Sequence, residues 1–304
     1  MKDSLLIVGS VAYDCIETPL DSADFILGGS ASYAALAASF FSSVKIVGVV
    51  GNDFKESDIS RLAARNIDIS ALTFDTQKPT FFWRGKYHEN FSSRETLDVR
   101  LNAFEGYMPK LGESAKKTKY VLLGNISPEI QESVLGDMEN PEFVILDTMD
   151  LWIQTANAKL RELIRRTDLL ILNDSEAKML SENRNIICAG DALLEMGAKS
   201  VIIKTGEYGA MLFHPDGFFV IPAYPVRDLR DPTGAGDSFA GALAGYIAGA
   251  GKTDFETIKL GMLAGAATSS LTVESFSCYK LEESGLGEIN RRCQYIEKIT
   301  SIRR

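Results

Sequence analysis

Six short apolar runs, separated by stretches suited to helices, constrain this chain more than any other feature. Leu5-Leu-Ile-Val-Gly9 opens the series, and residues 44–49, 120–124, 143–147, 168–173 and 200–204 continue it. These runs are rich in Val, Ile and Leu and lack polar alternation, which is how a strand covered on both faces reads. Helices are expected between them, at 30–41, 55–65, 128–138, 151–166, 174–181 and 189–196. Strands alternating with helices close into an α/β fold with a doubly wound, mostly parallel sheet and helices on both faces. A chain of 304 residues, 45% of them hydrophobic, can bury such a core without disulfides or metals.

Two regions break the rhythm, residues 13–27 and 72–107. The second contains Thr80-Phe-Phe-Trp-Arg-Gly-Lys-Tyr-His88, which alternates with period two. Phe81, Trp83 and Tyr87 fall on one face, and Phe82, Arg84, Lys86 and His88 on the other. Both insertions are expected to form a small antiparallel β lid on a large domain made of residues 1–12, 28–71 and 108–304. The aromatic face either covers a ligand or packs on the core or on a second subunit, which would make the lid a homodimer contact. Beyond Lys204 a hairpin is expected at 210–214 and 217–221, then helices at 233–250 and 254–272. Gly241, Gly245 and Gly249 leave one face of the first of these helices nearly bare, so another backbone can come close.

Several function classes drop out on composition. The net charge is −9, and no basic stripe marks a nucleic-acid binder. No apolar stretch reaches membrane-spanning length, and the first apolar run is too short and too early for a secretion signal. Cys15, Cys188, Cys278 and Cys293 are scattered with no CxxC pair, which suits reduced thiols in a cytoplasmic protein. His88 and His214 are the only histidines, too few for a histidine-rich metal site.

The chemistry concentrates in Asp231-Pro-Thr-Gly-Ala-Gly-Asp237. A helix start leaves backbone N–H groups unpaired at the positive end of the dipole. Gly234 and Gly236 remove bulk there. The N–H groups of Gly234, Ala235 and Gly236 therefore form an anion cradle with the Asp237 carboxylate at its edge. Phosphoryl transfer to an alcohol needs that pair: donors for the transferring charge and a base for the hydroxyl proton. An ordinary glycine-rich helix start with a dipole-favoured aspartate would read the same way. Two other motifs fail. Gly249-Ala-Gly251-Lys252-Thr253 resembles the tail of a Walker A loop, but Tyr246 stands where that loop needs glycine and a helix precedes it. Ser238 cannot head a Ser–acid–His hydrolase triad, because both histidines precede it.

Residues 231–242 closely resemble the C-terminal signature of the PfkB (ribokinase-like) carbohydrate and nucleoside kinases, and further landmarks follow in the family's order. The resemblance implies a fold of ribokinase type, ATP as co-substrate with Mg2+, and Asp237 as catalytic base. It implies acceptor binding by Asp14 and by Gly28-Gly29-Ser30, with Trp83 of the lid and Tyr33 nearby. It assigns Asn173-Asp-Ser-Glu176 to magnesium and phosphate, with Asn173 also at ATP and Glu176 acting through water. Lys204-Thr205-Gly206, through Gly209, resembles the nucleotide-binding turn. Asp231 and Thr233 match positions that hold a monovalent cation, potassium, in some members. Asn173 and Glu176 also read without the resemblance: they lie where a strand yields to a helix, at the ligand-binding carboxyl edge of an open sheet, and their spacing suits a capping box. Asp147 also ends a strand, with nothing to set it above a cap or loop aspartate. Sugar-specific members usually carry an asparagine a few residues after the double glycine; Tyr33 occupies that region here. The acceptor is thus expected to be a small sugar-like molecule, with a nucleoside as the alternative. A silent nucleotide- or sugar-binding regulator is the reading from a different class, and the intact Asp237 speaks against it.

Overall fold

The computed structural model describes residues 4–91 and 93–301. Its strands are β1 Ser4–Val8, β2 Ala12–Glu17, β3 Ser22–Gly28, β4 Ser43–Val50, β5 Ile67–Asp68, β6 Leu72–Phe74, β7 Phe81–Tyr87, β8 Arg94–Arg100, β9 Tyr120–Leu123, β10 Phe143–Asp147, β11 Leu169–Asn173, β12 Ser200–Lys204, β13 Ala210–His214 and β14 Gly217–Ile221. Ten of them form one sheet in the order β14-β13-β12-β11-β10-β9-β1-β4-β5, with β6 also paired to β4. The pairs from β12 to β5 and β6 are parallel, and only the β12–β13–β14 end is antiparallel.

Both faces of this sheet are buried, as the unbroken apolar runs require. Leu5, Ile7, Ile145 and Ile202 point into one core, with the helices Ser30–Ala38, Ala235–Ala250 and Phe255–Thr272. Leu6, Val8, Leu146 and Ile203 point into the other, with Pro128–Asp137, Asn157–Ile164 and Ile186–Glu195.

The long helix expected over 151–166 is two, Asp150–Thr155 and Asn157–Ile164. At the break Asn157 Nδ2 bonds the Ile153 carbonyl at 3.0 Å, a side chain competing with the backbone ladder. Gly251, in the rejected Walker-like stretch, ends the preceding helix in a left-handed conformation with φ 63°.

The second sheet has the order β3-β2-β7-β8. It is antiparallel at β2–β3 and β7–β8, while β2 and β7 run parallel at its centre. Residues 72–74 belong instead to the large sheet through β4. Trp83 and Tyr87 share one face of the small sheet, packed with Ile16, Ile26 and Phe276. Phe82 lies on the other with Tyr13 and Cys15.

The bare glycine face sets the geometry of the site. A Cβ on Gly241 would lie 2.1 Å from the Ala34 carbonyl oxygen, and one on Gly245 would lie 2.7 Å from that of Ala38. The helices Ala235–Ala250 and Ser30–Ala38 therefore touch backbone to backbone. One opens with the anion cradle and the other follows the double glycine, so the two motifs are held at a fixed separation.

Candidate active site

The carboxyl ends of β10, β11 and β12 bring Asp147, Asn173 and Lys204 together, with Asn173 and Lys204 directly in register. Lys204 Nζ lies 3.5 Å from Asp147 Oδ1. A Cβ on Gly236 would stand 3.0 Å from the same ammonium, so its charge sits just beneath the cradle. Gly234 caps the helix at φ 75°, and a Cβ there would strike the Tyr33 ring at 2.3 Å. Tyr33 is 1% exposed, and its ring supports the cradle from below at Gly234.

Asp237 lies among these groups. Burial raises its pKa to about 6, reinforced by Asp147 and opposed by Lys204 and Arg94. A carboxylate poised there is a competent base near neutral pH. Burial opposes the charge of Lys204, but Asp147, Glu176 and Asp237 outweigh it and hold its pKa above the ordinary lysine value.

Asn173 and Glu176 form the capping box: the Asn173 N–H donates to Glu176 Oε2 at 2.7 Å and the Glu176 N–H to Asn173 Oδ1 at 2.9 Å. Burial lifts Glu176 to about 7, against the pull of Lys204. Thr205, Gly206 and Gly209 form a closed turn beyond Lys204, with the Thr205 N–H bonded to the Gly209 carbonyl at 2.8 Å.

The acceptor motif is built around one carboxyl group. A Cβ on Gly28 would fall 1.9 Å from Asp14 Oδ2, so only glycine leaves Asp14 its place. Gly29 adopts φ 91° and lies against the Ser10 backbone. Burial, then the charges of Asp231 and Asp237, push Asp14 up to about 8, against the pull of the Gly29 N–H and of Arg94. Ser30 faces inward: its hydroxyl donates to the Asn125 carbonyl at 3.1 Å and accepts from the Ser10 N–H at 3.1 Å. It tightens the strand ends that carry the site.

Asp231 is 1% exposed. Its Oδ1 accepts from the Thr233 N–H at 2.9 Å, while its buried Oδ2 has no partner among the described residues. Thr233 Oγ1 donates to the Tyr87 hydroxyl at 3.1 Å, joining lid to cradle. On the lid, Trp83 lies flat along its strand: a Cβ on Gly85 would meet the indole at 2.0 Å, and Trp83 Nε1 donates to Thr96 Oγ1 at 3.2 Å. Trp83 and Asp14 are in direct register, so they share the face turned to the cleft.

Sequence reasoning ranks Asp147 no higher than a cap or loop aspartate and misses Arg94. Asp147 is 4% exposed and pairs with Lys204; its position at a strand's carboxyl end was the available signal. Arg94, opposite Tyr87 on β8, was hidden because the β7–β8 register shifts at Arg84 and Gly85. Surface grooves at Arg161–Met196 and Lys45–Ala115 lie away from this cluster and contain none of its groups.

An anion cradle beside a poised carboxylate, at the carboxyl edge of an open α/β sheet, defines a class: enzymes that move a phosphoryl group to an alcohol. Comparison with known proteins agrees. Residues 2–283 match the pfkB family carbohydrate kinases. The cytidine kinase of Thermococcus kodakarensis is 29% identical over 85% of this chain and 93% of its own. The nucleoside kinase of Methanocaldococcus jannaschii is 28% identical over 81% of this chain and 80% of its own. Its crystal structure aligns with a TM-score of 0.77 over 96% of this chain and 98% of its own, at 23% identity. An Escherichia coli protein described as a ribokinase II, solved with ATP and Mg2+, aligns with a TM-score of 0.79 at 20% identity, over 96% and 99% of the two chains. The chain belongs to the pfkB family of carbohydrate kinases and is an ATP-dependent kinase of ribokinase-like fold.

Proposed function

We propose that the acceptor is a nucleoside and that Asp237 takes the proton of one of its sugar hydroxyls. The observation that carries this reading is the Trp83 indole, held flat by Gly85 and Thr96 on the lid face that also presents Asp14. A flat aromatic surface suits a planar base, and a neighbouring carboxyl group suits vicinal hydroxyls. The names of two relatives, a cytidine kinase and a nucleoside kinase, support it over a free-sugar acceptor.

ATP lies along the carboxyl edge of the sheet, with its nucleotide near residues 204–209 and Asn173. The acceptor hydroxyl oxygen attacks the γ-phosphorus, its proton passes to Asp237, and the bond to the β–γ bridging oxygen breaks with its electron pair leaving on ADP. The N–H groups of Gly234 and Gly236 and the Lys204 ammonium stabilise the charge, while the Ala235 N–H donates at 3.2 Å to the Pro232 carbonyl and shapes the turn. Magnesium supplies charge neutralisation on the phosphates when bound; Asn173 and Glu176 fit it through water, since Glu176 is a buried acid with one oxygen outside the capping box. A monovalent cation fits Asp231 and Thr233, because Asp231 Oδ2 is buried and has no hydrogen-bond partner among the described residues.

Residues 13–27 and 81–100 act as the lid, with the small sheet as its moving part. Phe25 and Leu97 are 56% and 44% exposed there and suit contact with a second copy of the chain. All four cysteines are unpaired, which suits the cytoplasm; among the described residues no helix is long and apolar enough to cross a membrane.

Incubation with ATP, Mg2+ and a panel of nucleosides and free sugars tests the reading. Release of ADP with formation of a nucleoside monophosphate is the expected result. Turnover confined to free sugars would overturn the nucleoside assignment, and ligand binding without any turnover would favour the regulator.

A further inference from the structure

The cleft receives one more charged side chain, and nothing above gives it a task. Arg94 opens β8 directly opposite Tyr87, so it stands on the lid face that carries Trp83 and Asp14. Its guanidinium lies 5.8 Å from the centre of the Trp83 ring. It also engages the Tyr87 hydroxyl, which accepts a hydrogen bond from Thr233 Oγ1. The lid's other arginines behave differently: Arg84 pairs with Asp24 at 3.4 Å and Arg100 with Asp98 at 2.7 Å, both lid carboxylates. Arg94 is turned instead toward acids of the site. Its charge acts on Asp14 at the acceptor end and on Asp237 at the cradle, and it is itself acted on by Asp150 at the edge of the large domain.

Arg94 faces Tyr87, whose hydroxyl bonds Thr233 at the start of the cradle, and it shares a lid face with Asp14, so its charge is directed at the space between acceptor and cradle. A guanidinium fits that place better than an ammonium: its planar fork donates two parallel hydrogen bonds to phosphoryl oxygens and it never loses its charge. The cradle and Lys204 approach this space from the large domain, and no cation of the large domain faces them from the lid side among the groups described above.

We propose that Arg94 is a catalytic residue carried by the lid, whose guanidinium grips the transferring γ-phosphoryl from the side opposite the cradle. Tyr87 is its positioning residue, because its hydroxyl spans from Arg94 to Thr233, next to Gly234. The arginine exchanges no proton; the new O–P bond, the broken bridging bond and the proton on Asp237 are as above. The lid thereby completes the phosphoryl site only when it lies against the cradle, which ties transfer to the closed state. The proposal rests on the phosphoryl-transfer reading of Asp237 and residues 234–236.

Steady-state kinetics on wild type, Arg94→Ala and Arg94→Lys, with ATP and the acceptor found by the panel, test it. Arg94→Ala should lose about 10²–10³-fold in kcat while both KM values move only a few fold. Arg94→Lys should recover little, because it lacks the fork. Added guanidinium ion, below denaturing concentration, should restore part of the Arg94→Ala rate and leave Asp237→Asn unaffected. Arg94 is solvent-accessible, so unchanged melting temperatures are expected. A kcat within about threefold of wild type in Arg94→Ala would overturn the proposal alone. A rise confined to the acceptor KM would overturn it in favour of acceptor binding. A wild type that turns over no acceptor would overturn the underlying reading as well.

Discussion

The cradle that ends in Asp237 and the lid that carries Asp14, Trp83 and Arg94 face one cleft but are held by different means. The cradle belongs to a helix locked to its neighbour through Gly241 and Gly245, with Tyr33 filling the space beneath Gly234. Nothing there can shift without breaking backbone contacts. The lid meets it through a small apolar cluster around Ile16, Ile26 and Tyr87 and through the Tyr87–Thr233 hydrogen bond. Under the proposed function the two sides have different tasks. Preorganised donors and a base must not move at the moment of reaction, whereas the surface that admits and covers an acceptor must open and close.

Substitutions on the two sides should therefore fail in different ways. Asp237→Asn, on the rigid side, should lower kcat by about 10²–10⁴-fold while ATP binding, followed by calorimetry, persists. Gly234→Ala keeps every titrating group but adds a Cβ at φ 75° against the Tyr33 ring; kcat should fall about 10²-fold, as when one anion-hole donor is misplaced, with a lower melting temperature. On the lid, Trp83→Ala should raise the nucleoside KM about tenfold through lost stacking, with kcat nearly kept. An equal fall in kcat for Trp83→Ala would contradict its assignment to acceptor binding; among the lid groups only Arg94 is expected to act on kcat.

The smallest effect is on stability, and its sign is opposite to that on activity. Asp237 has a folded pKa of about 6 against 3.8 unfolded. The folded state thus holds more protons between those values and loses stability as pH rises through them, with the full cost present above about 6. Asp237→Asn removes that cost. Its melting temperature should exceed that of wild type above pH 6, by roughly 2–4 °C per kcal/mol relieved, and converge with it below about pH 4. An equal or lower melting temperature at neutral pH would contradict the burial assigned to this carboxylate.

The large domain was legible in the sequence because local chemistry dictates it. Apolar runs name the central strands, and Gly234, Gly236 and Asp237 name the cradle through what a helix start must offer an anion. The lid was legible only as a lid. Its alternation put Trp83 and Tyr87 on one face, as found, yet the bulge between β7 and β8 fixes which residues of β8 join them, and a bulge depends on pairing across strands rather than on local composition. Arg94 stayed hidden for that reason. Asp147 ranks no higher than a cap or loop aspartate in the sequence because a strand-end aspartate gains meaning only beside Lys204, 57 residues away. Tyr33 is expected near the acceptor, while its ring packs under Gly234; a helix with every residue buried, as Ser30–Ala38 is, offers no periodicity to orient one side chain.

The role of Asp237 as the base that waits in the cradle is tested most directly by the pH dependence of kcat/KM. Lys204 and Arg94 pull its pKa down, burial and Asp147 push it up, and it comes to rest at about 6. Because only the ionised carboxylate accepts the hydroxyl proton, kcat/KM should fall about tenfold per unit as pH drops below that value. A kcat/KM that holds level from neutral pH to below about 5 would contradict the assignment.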